Sequence, residues 1–154
     1  MTMAVSNKDV PWSAPVYFVY HGGGFYFFSN ENSNHVKYGL DQKKVSVSVF
    51  HDSDSIDDIY GLQMSGWLEE IGIIDHAVVV KKYIEKFEFL KRIFGPQILA
   101  DKNFFLEKFK STLFAFKPEK IFFSDNSRNT GKRIEIKPAE LNNDCNSDVY
   151  PNSR

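Results

Sequence analysis

Two aromatic, β-branched runs set around three consecutive glycines constrain this chain more than any other feature. Pro15-Val16-Tyr17-Phe18-Val19-Tyr20 leads into His21-Gly22-Gly23-Gly24, and Phe25-Tyr26-Phe27-Phe28-Ser29 leads away. Glycine reaches positive φ without steric cost, so the pattern predicts an antiparallel hairpin. The returning run breaks into Asn30-Glu31-Asn32-Ser33-Asn34-His35, and a short helix is expected over 36–40. Val45-Ser46-Val47-Ser48-Val49 then alternates with period two, which predicts a strand with one buried face. Hydroxyl and amide side chains therefore fall where a helix begins. There the first N–H groups lack intrahelical acceptors and the dipole turns its positive end outward. Such a junction can take an anion, most often a phosphate, or be closed by an ordinary serine cap. Spacing alone leaves both open.

The flanks supply further elements. Met3 to Ser6 reads as a short strand with a turn at Asn7-Lys8-Asp9. Pro11 and Pro15 bracket Trp12, Ser13 and Ala14. Prolines at a strand start suit an edge or a bulge, which would leave backbone groups from Trp12 to Val16 free for a ligand or form a plain stiff strand entry. His51-Asp52-Ser53-Asp54-Ser55 is an acidic loop, and no other residues complete a metal ligand set. Residues 59–74 read as a long strand in which Gly61 and Gly66 mark bulges or close approaches. Its polar Gln63 would need partners for both amide ends in a core, or could offer a donor and an acceptor to a heterocycle's edge. Asp75 is the expected cap of a helix carrying Val79, Tyr83, Phe87, Leu90 and Phe94 on one face, with lysines and glutamates solvated on the other. Gly95-Pro96 ends that helix and Asp101 starts another with Phe104, Phe105, Leu106 and Phe109. Two strands, Leu113 to Phe116 and Lys120 to Phe123, a polar turn through Gly131, and Lys132 to Ile136 complete the pattern. Residues 1–138 are expected to form one domain and 139–154 a disordered polar tail.

Charge and cysteine usage exclude some classes. A net charge of −1 argues against a nucleic-acid partner. A lone Cys145 allows no intramolecular disulfide and suits a reducing compartment. With no membrane-length apolar run, a soluble cytoplasmic protein is expected. The fifteen Phe exceed what a core of this size needs, which suggests a subunit interface or a pocket for a flat ligand. No Ser-His-Asp, Cys-His or paired-carboxylate set stands out.

The order of these elements resembles the FMN-binding split barrel of pyridoxamine 5'-phosphate oxidase and its relatives. The shared features are a Pro-rich strand start, the hairpin, the Ser29-x-x-x-Ser33-x-His35 cap, the Val-x-Val strand and Gly61-Leu62-Gln63-x-x-Gly66. The run Ile121-Phe122-Phe123-Ser124-Asp125-Asn126-Ser127 with Gly131-Lys132-Arg133 is similar to the ending of the YhbP-like branch. The resemblance spans about residues 4 to 137. It implies a mainly antiparallel β-barrel with peripheral helices, an α+β split barrel, and a homodimer with two FMN sites, each built from both subunits. By the same resemblance, Trp12, Ser13, Ala14, Pro15 and Val16 run along the flavin ring with backbone contacts. Ser29, Ser33 and His35 fall on phosphate-binding positions, and Gln63 falls near the residue that reaches the ring. Relatives commonly carry Arg where this chain has Asn34, and Lys37 lies close enough to compensate in part. A charge-assisted hydrogen bond contributes about 1.5–3 kcal/mol, so its loss would weaken binding roughly ten- to a hundredfold. FMN is therefore expected to be weakly held, and the purified protein partly or wholly empty.

Three functions follow as expectations. One is an FMN-dependent oxidoreductase or flavin reductase using a small-molecule electron donor or acceptor. Another is a haem-handling split barrel with His21 or His35 as iron ligand. The third is a cofactor-less dimeric binding module, motivated by Asn34.

Overall fold

A computed structural model describes residues 1–72, 77–95, 107, 110–129 and 132–142. In chain order come β1 (Thr2–Asn7), β2 (Val10–Pro15), β3 (Val19–His21), β4 (Gly24–Ser29), α1 (Asn34–Gln42), β5 (Val45–Phe50) and β6 (Tyr60–Ile71). They are followed by α2 (Ala77–Lys86), α3 (Glu88–Phe94), β7 (Thr112–Asp125), α4 (Asn126–Asn129) and β8 (Arg133–Ile136). All strand pairs are antiparallel, in the order β2-β1-β5-β6-β7-β4-β3, with β8 added to β7. The ladder does not close between its outer strands β2 and β3, so the barrel is split.

Alternation sorts the side chains of this sheet into two cores. Met3, Val5, Phe25, Phe27, Val45, Val47, Met64, Leu68, Phe114, Phe116 and Ile121 face inward together, with Val36 of α1 among them. On the other face of β3, β4 and β7, Val19, Tyr26, Leu113 and Ala115 pack against Val79, Tyr83 and Ile84 of α2 and Leu90 of α3.

The expected hairpin turns at Gly22 and Gly23, with φ of +53° and +79°, and pairs His21 with Gly24. Its first strand is shorter than the sequence suggests. Pro15 belongs to β2, and residues 16–18 cross from one edge of the sheet to the other. The carbonyls of this crossing are held by α2: Tyr83 Oη donates to Tyr17 O (3.4 Å) and Lys86 Nζ to Phe18 O (2.9 Å). Lys86, expected in solvent, thus lies 4.2 Å from the Phe18 ring centroid.

Other expectations shift for identifiable reasons. The single helix over Val79 to Phe94 is two, because Phe87 leaves helical geometry (φ −108°, ψ 73°) to pack on Tyr17, Tyr83 and Phe89. The two strands around Pro118 are one, β7, which passes the proline at a bulge opposite Gly66. A Cβ at Gly66 would lie 2.0 Å from Lys117 O, and one at Gly61 2.5 Å from Val49 O, so both glycines mark close backbone approaches. The Asp125-Asn126 turn is structural. Asp125 Oδ1 accepts from Ser127 N and Oγ to start α4, while Asn126 bonds to Ile56 O and Ile59 O. Glu140–Asn142 form a 3-10 turn, and Leu141 packs on the inner core. Asp75, Gly131, the helix expected from Asp101, and residues 143–154 of the expected tail lie outside the described residues.

Candidate functional site

The start of α1 brings three sequence-selected side chains together. Ser29 ends β4 on the same face as Phe27 and is only 9% exposed. Its hydroxyl is hydrogen-bonded to His35 Nε2 at 2.8 Å and lies 3.3 Å from Ser33 Oγ, which is 3.4 Å from the same nitrogen. Ser33 occupies the N-cap position but makes no capping bond; its hydroxyl donates to Asn30 O at 2.7 Å. Val36 N and Lys37 N both reach Ser33 O. The N–H groups of Asn34 and His35 are left at the helix end with neither an intrahelical acceptor nor the serine side chain. Asn34 is half-buried here and Lys37 exposed. His35 is half-buried, and burial pushes its pKa below the ordinary 6.5. Near neutral pH the cluster therefore offers hydroxyls, an uncharged imidazole and helix-end amides.

The proline-rich segment forms a second region. Val16 N donates to Met1 O, which extends the register pairing Thr2 with Pro15, Ala4 with Ser13 and Ser6 with Pro11. Antiparallel ladders alternate bonded and non-bonded pairs, so residues 10, 12, 14 and 16 direct their backbone groups toward β1. Pro11, Ser13 and Pro15 direct theirs away, along the free edge. The prolines thus stand where no ladder N–H is needed. Beside this edge, Thr2, Pro15, Val16, Tyr17, Ser48 and Phe50 line a cleft of about 450 Å³.

Gln63 lies apart from the serine–histidine cluster. Its neighbour Met64 faces the inner core, so Gln63 faces outward, exposed, in a groove of about 380 Å³ with Thr2, Ser46, Ser48 and Lys120. Thr2 and Ser48 line both hollows, so Gln63 and the Pro15–Val16 segment share one continuous outer surface. Ser29 pairs with Thr112 and Gln63 with Phe122, about 30 Å apart along β7. Cluster and groove also occupy opposite faces of the sheet, and one chain does not bring them together.

Sequence reasoning missed Lys86, whose pKa burial lowers, because helical periodicity assigns it to a solvated face. The His51 ring stacks on that of Tyr60, with centroids 4.9 Å apart. Among the described residues, no three His, Cys, Asp or Glu side chains group as a metal site. No described helix is long and apolar enough to cross a membrane.

No family model matches the chain, and no curated protein matches it. Solved structures match in shape. A heme binding protein from Mycobacterium smegmatis aligns at TM-score 0.67 and 11% identity over 90% of this chain. The alignment covers 52% of that protein, so this chain spans about half its length. A FAD-binding protein from Mesorhizobium loti aligns at TM-score 0.56 and 17% identity, over 78% of this chain and 80% of that one. A candidate pyridoxamine 5'-phosphate oxidase from Listeria innocua aligns at TM-score 0.58 and 16% identity, over 82% and 87%.

Proposed function

From the split-barrel fold that this chain shares with the FMN-binding, pyridoxamine 5'-phosphate oxidase-like superfamily, we propose that it binds FMN as a homodimer and acts as a flavin-dependent oxidoreductase or flavin reductase. One observation carries the reading: Ser33 leaves the first-turn N–H groups of α1 uncapped beside a hydroxyl–imidazole cluster. This donor set fits a phosphate ester. The Ser29 and Ser33 hydroxyls, the backbone N–H groups of Asn34 and His35, and the His35 ring hold the phosphate, with Lys37 adding charge from the exposed side. Trp12 to Val16 would hold the ring; Gln63 shares the outer surface of Pro15 and Val16 but lies on the opposite face of the sheet from the phosphate cluster, so a second subunit would supply the Gln63 that meets a ligand seated on that cluster. When bound, the flavin supplies hydride transfer; the residues of this chain bind it, orient it and leave one ring face open to a small-molecule donor or acceptor.

The homodimer is supported by the outer face of β1, β5 and β6. Thr2, Ala4, Ser46, Ser48 and Ser65 make it low and flat, and Phe50, 66% exposed, stands at its end. Small side chains let a second sheet approach closely, and a solvent-facing Phe suits an interface. The cytoplasm is the compartment consistent with a single cysteine.

FMN at a hundredfold excess over its Kd should stabilise the fold by about 2.7 kcal/mol, a melting shift of roughly 5–10 °C. No shift at saturating FMN overturns the reading. A second reading, haem binding, is favoured by one observation: burial keeps His35 in the neutral form that ligates iron. Haem titration of wild type and His35→Ala separates the two, and identical spectra from both variants remove haem ligation by His35.

A further inference from the structure

The loop between β5 and β6 combines exposed apolar side chains with one sign of charge. Asp52, Asp54, Asp57 and Asp58 fall within residues 50–60, a stretch without lysine or arginine. The whole chain carries only −1, so everything outside this stretch is net positive. All four aspartates are exposed, and among the described residues none of them forms an ion pair. Phe50 pairs with Gly61, and Ile59, extended and two residues before Gly61, shares its face. A single 3-10 turn, closed by Ile59 N donating to Ile56 O, stacks Ile56 over Ile59. Ile56 is 65% exposed and Ile59 40%. The turn is held from behind: Asn126 Nδ2 donates to Ile56 O and Asn126 N to Ile59 O, each at 3.0 Å, while His51 N donates to Tyr60 O at 2.9 Å. It is therefore a fixed lip, and a contiguous apolar surface presented in this way marks an interaction site.

Charge decides what covers it. A two-fold contact of the lip with itself would set four aspartates against four. Nucleic acid and anionic lipid surfaces would be repelled in the same way. We propose that the lip of Phe50, Ile56 and Ile59 docks a basic amphipathic segment of another protein, with apolar side chains on the two isoleucines and lysines or arginines among the aspartates. Phe50 joins the lip to the outer face of the sheet, whereas Ile56 and Ile59 lie past the strand ends. The assignment is independent of the flavin reading.

Fluorescence anisotropy of a labelled helical peptide, with leucines on one face and lysines on the other, reports binding to the full chain. Wild type should bind it, less tightly as salt rises. The double variant Ile56→Ser, Ile59→Ser should lose about tenfold in affinity. Asp57→Asn with Asp58→Asn should lose about threefold and show a shallower salt dependence. Val78→Ser, which removes an exposed apolar side chain of α2, should change nothing. Circular dichroism melts report folding of each variant. If the isoleucine variant does not fold, the same peptide with glutamate in place of lysine, tested on wild type, must fail to bind. Wild-type affinity in the isoleucine variant, equal binding of the glutamate peptide, or no binding of the lysine peptide overturns the assignment. A change in the sedimentation of the protein alone on Ile56→Ser, Ile59→Ser also overturns it, because the lip then belongs to a second copy of this chain.

Discussion

Affinity for FMN should depend on pH through His35, in a direction its surroundings fix. In the free protein burial holds the imidazole pKa below 6.5, so the ring is neutral at pH 8. A phosphate on the Ser29–Ser33–His35 cluster favours the protonated ring, because a charge-assisted hydrogen bond contributes about 1.5–3 kcal/mol against about 0.5–1.5 for a neutral one. The difference, about 1.4 kcal/mol, is close to one unit of pKa or a tenfold change in Kd. Binding then takes up a proton, and affinity rises as pH falls from 8 toward 6. Below about pH 6 the phosphate itself gains a proton, and the gain levels off. Fluorescence titration from pH 5.5 to 8.5 reads the profile, and calorimetry in two buffers of different ionisation enthalpy counts the proton. His35→Gln should flatten the curve while keeping a hydrogen-bonding side chain. An affinity independent of pH in wild type, or an unchanged slope in His35→Gln, refutes the reasoning. Without ligand the sign reverses. A histidine with a depressed folded pKa favours the folded state above pH 6.5, and that contribution is lost as pH drops through the lowered value.

Other substitutions test the remaining parts. Asn34→Arg restores a fixed cation at the start of α1 and should tighten FMN about ten- to a hundredfold, measured by the same quenching titration. Gly66→Ala drives a methyl group into Lys117 O at the β6–β7 bulge; about 3 kcal/mol of destabilisation is expected, a fall of roughly 6–12 °C in Tm by calorimetry. Ser48→Arg places a charged side chain on the flat outer face and should leave a folded monomer by sedimentation, whereas an unchanged dimer would place the interface elsewhere. Lys86→Met removes the donor to Phe18 O and should raise amide exchange in residues 16–18 more than in β5.

Much of the fold was legible because its signals are local. The glycine turn needs positive φ at Gly22 and Gly23 and shows it, and the Val–Ser alternation of β5 sorts its residues as period two requires. Pro11 and Pro15 announced an edge, and the register explains how: both fall on the non-bonded side of the β1 pairing. What escaped is long-range. Nothing near Phe87 marks a helix break; the break comes from Tyr17, seventy residues earlier, whose ring lies 5.1 Å from its own. Pro118 argues locally for two strands, and only Gly66 on β6 gives the backbone room to carry β7 past it. Lys86 has the sequence neighbours of a surface lysine, and its partner is a carbonyl from the first twenty residues.

The candidate site divides along the same line. Ser29, Ser33 and His35 could be grouped from sequence because seven consecutive residues carry them across one strand-to-helix junction. Gln63 could not be placed relative to them, since its position depends on the face assigned by the β6 alternation and on the length of β7 between the two pairings. That separation also bears on assembly. A ligand touching both the helix start and Gln63 needs a second chain to complete its surroundings, so loss of the dimer and loss of FMN should coincide. Ser48 lies on the far side of the sheet from His35 but lines the cleft beside Pro15 and Val16, so Ser48→Arg can weaken FMN by lowering the dimer fraction or by meeting the ring, and protein concentration separates the two. At protein concentrations high enough to restore the dimer, affinity should return to the wild-type value; a loss of FMN that persists in the restored dimer would mean that Ser48 contacts the ligand directly.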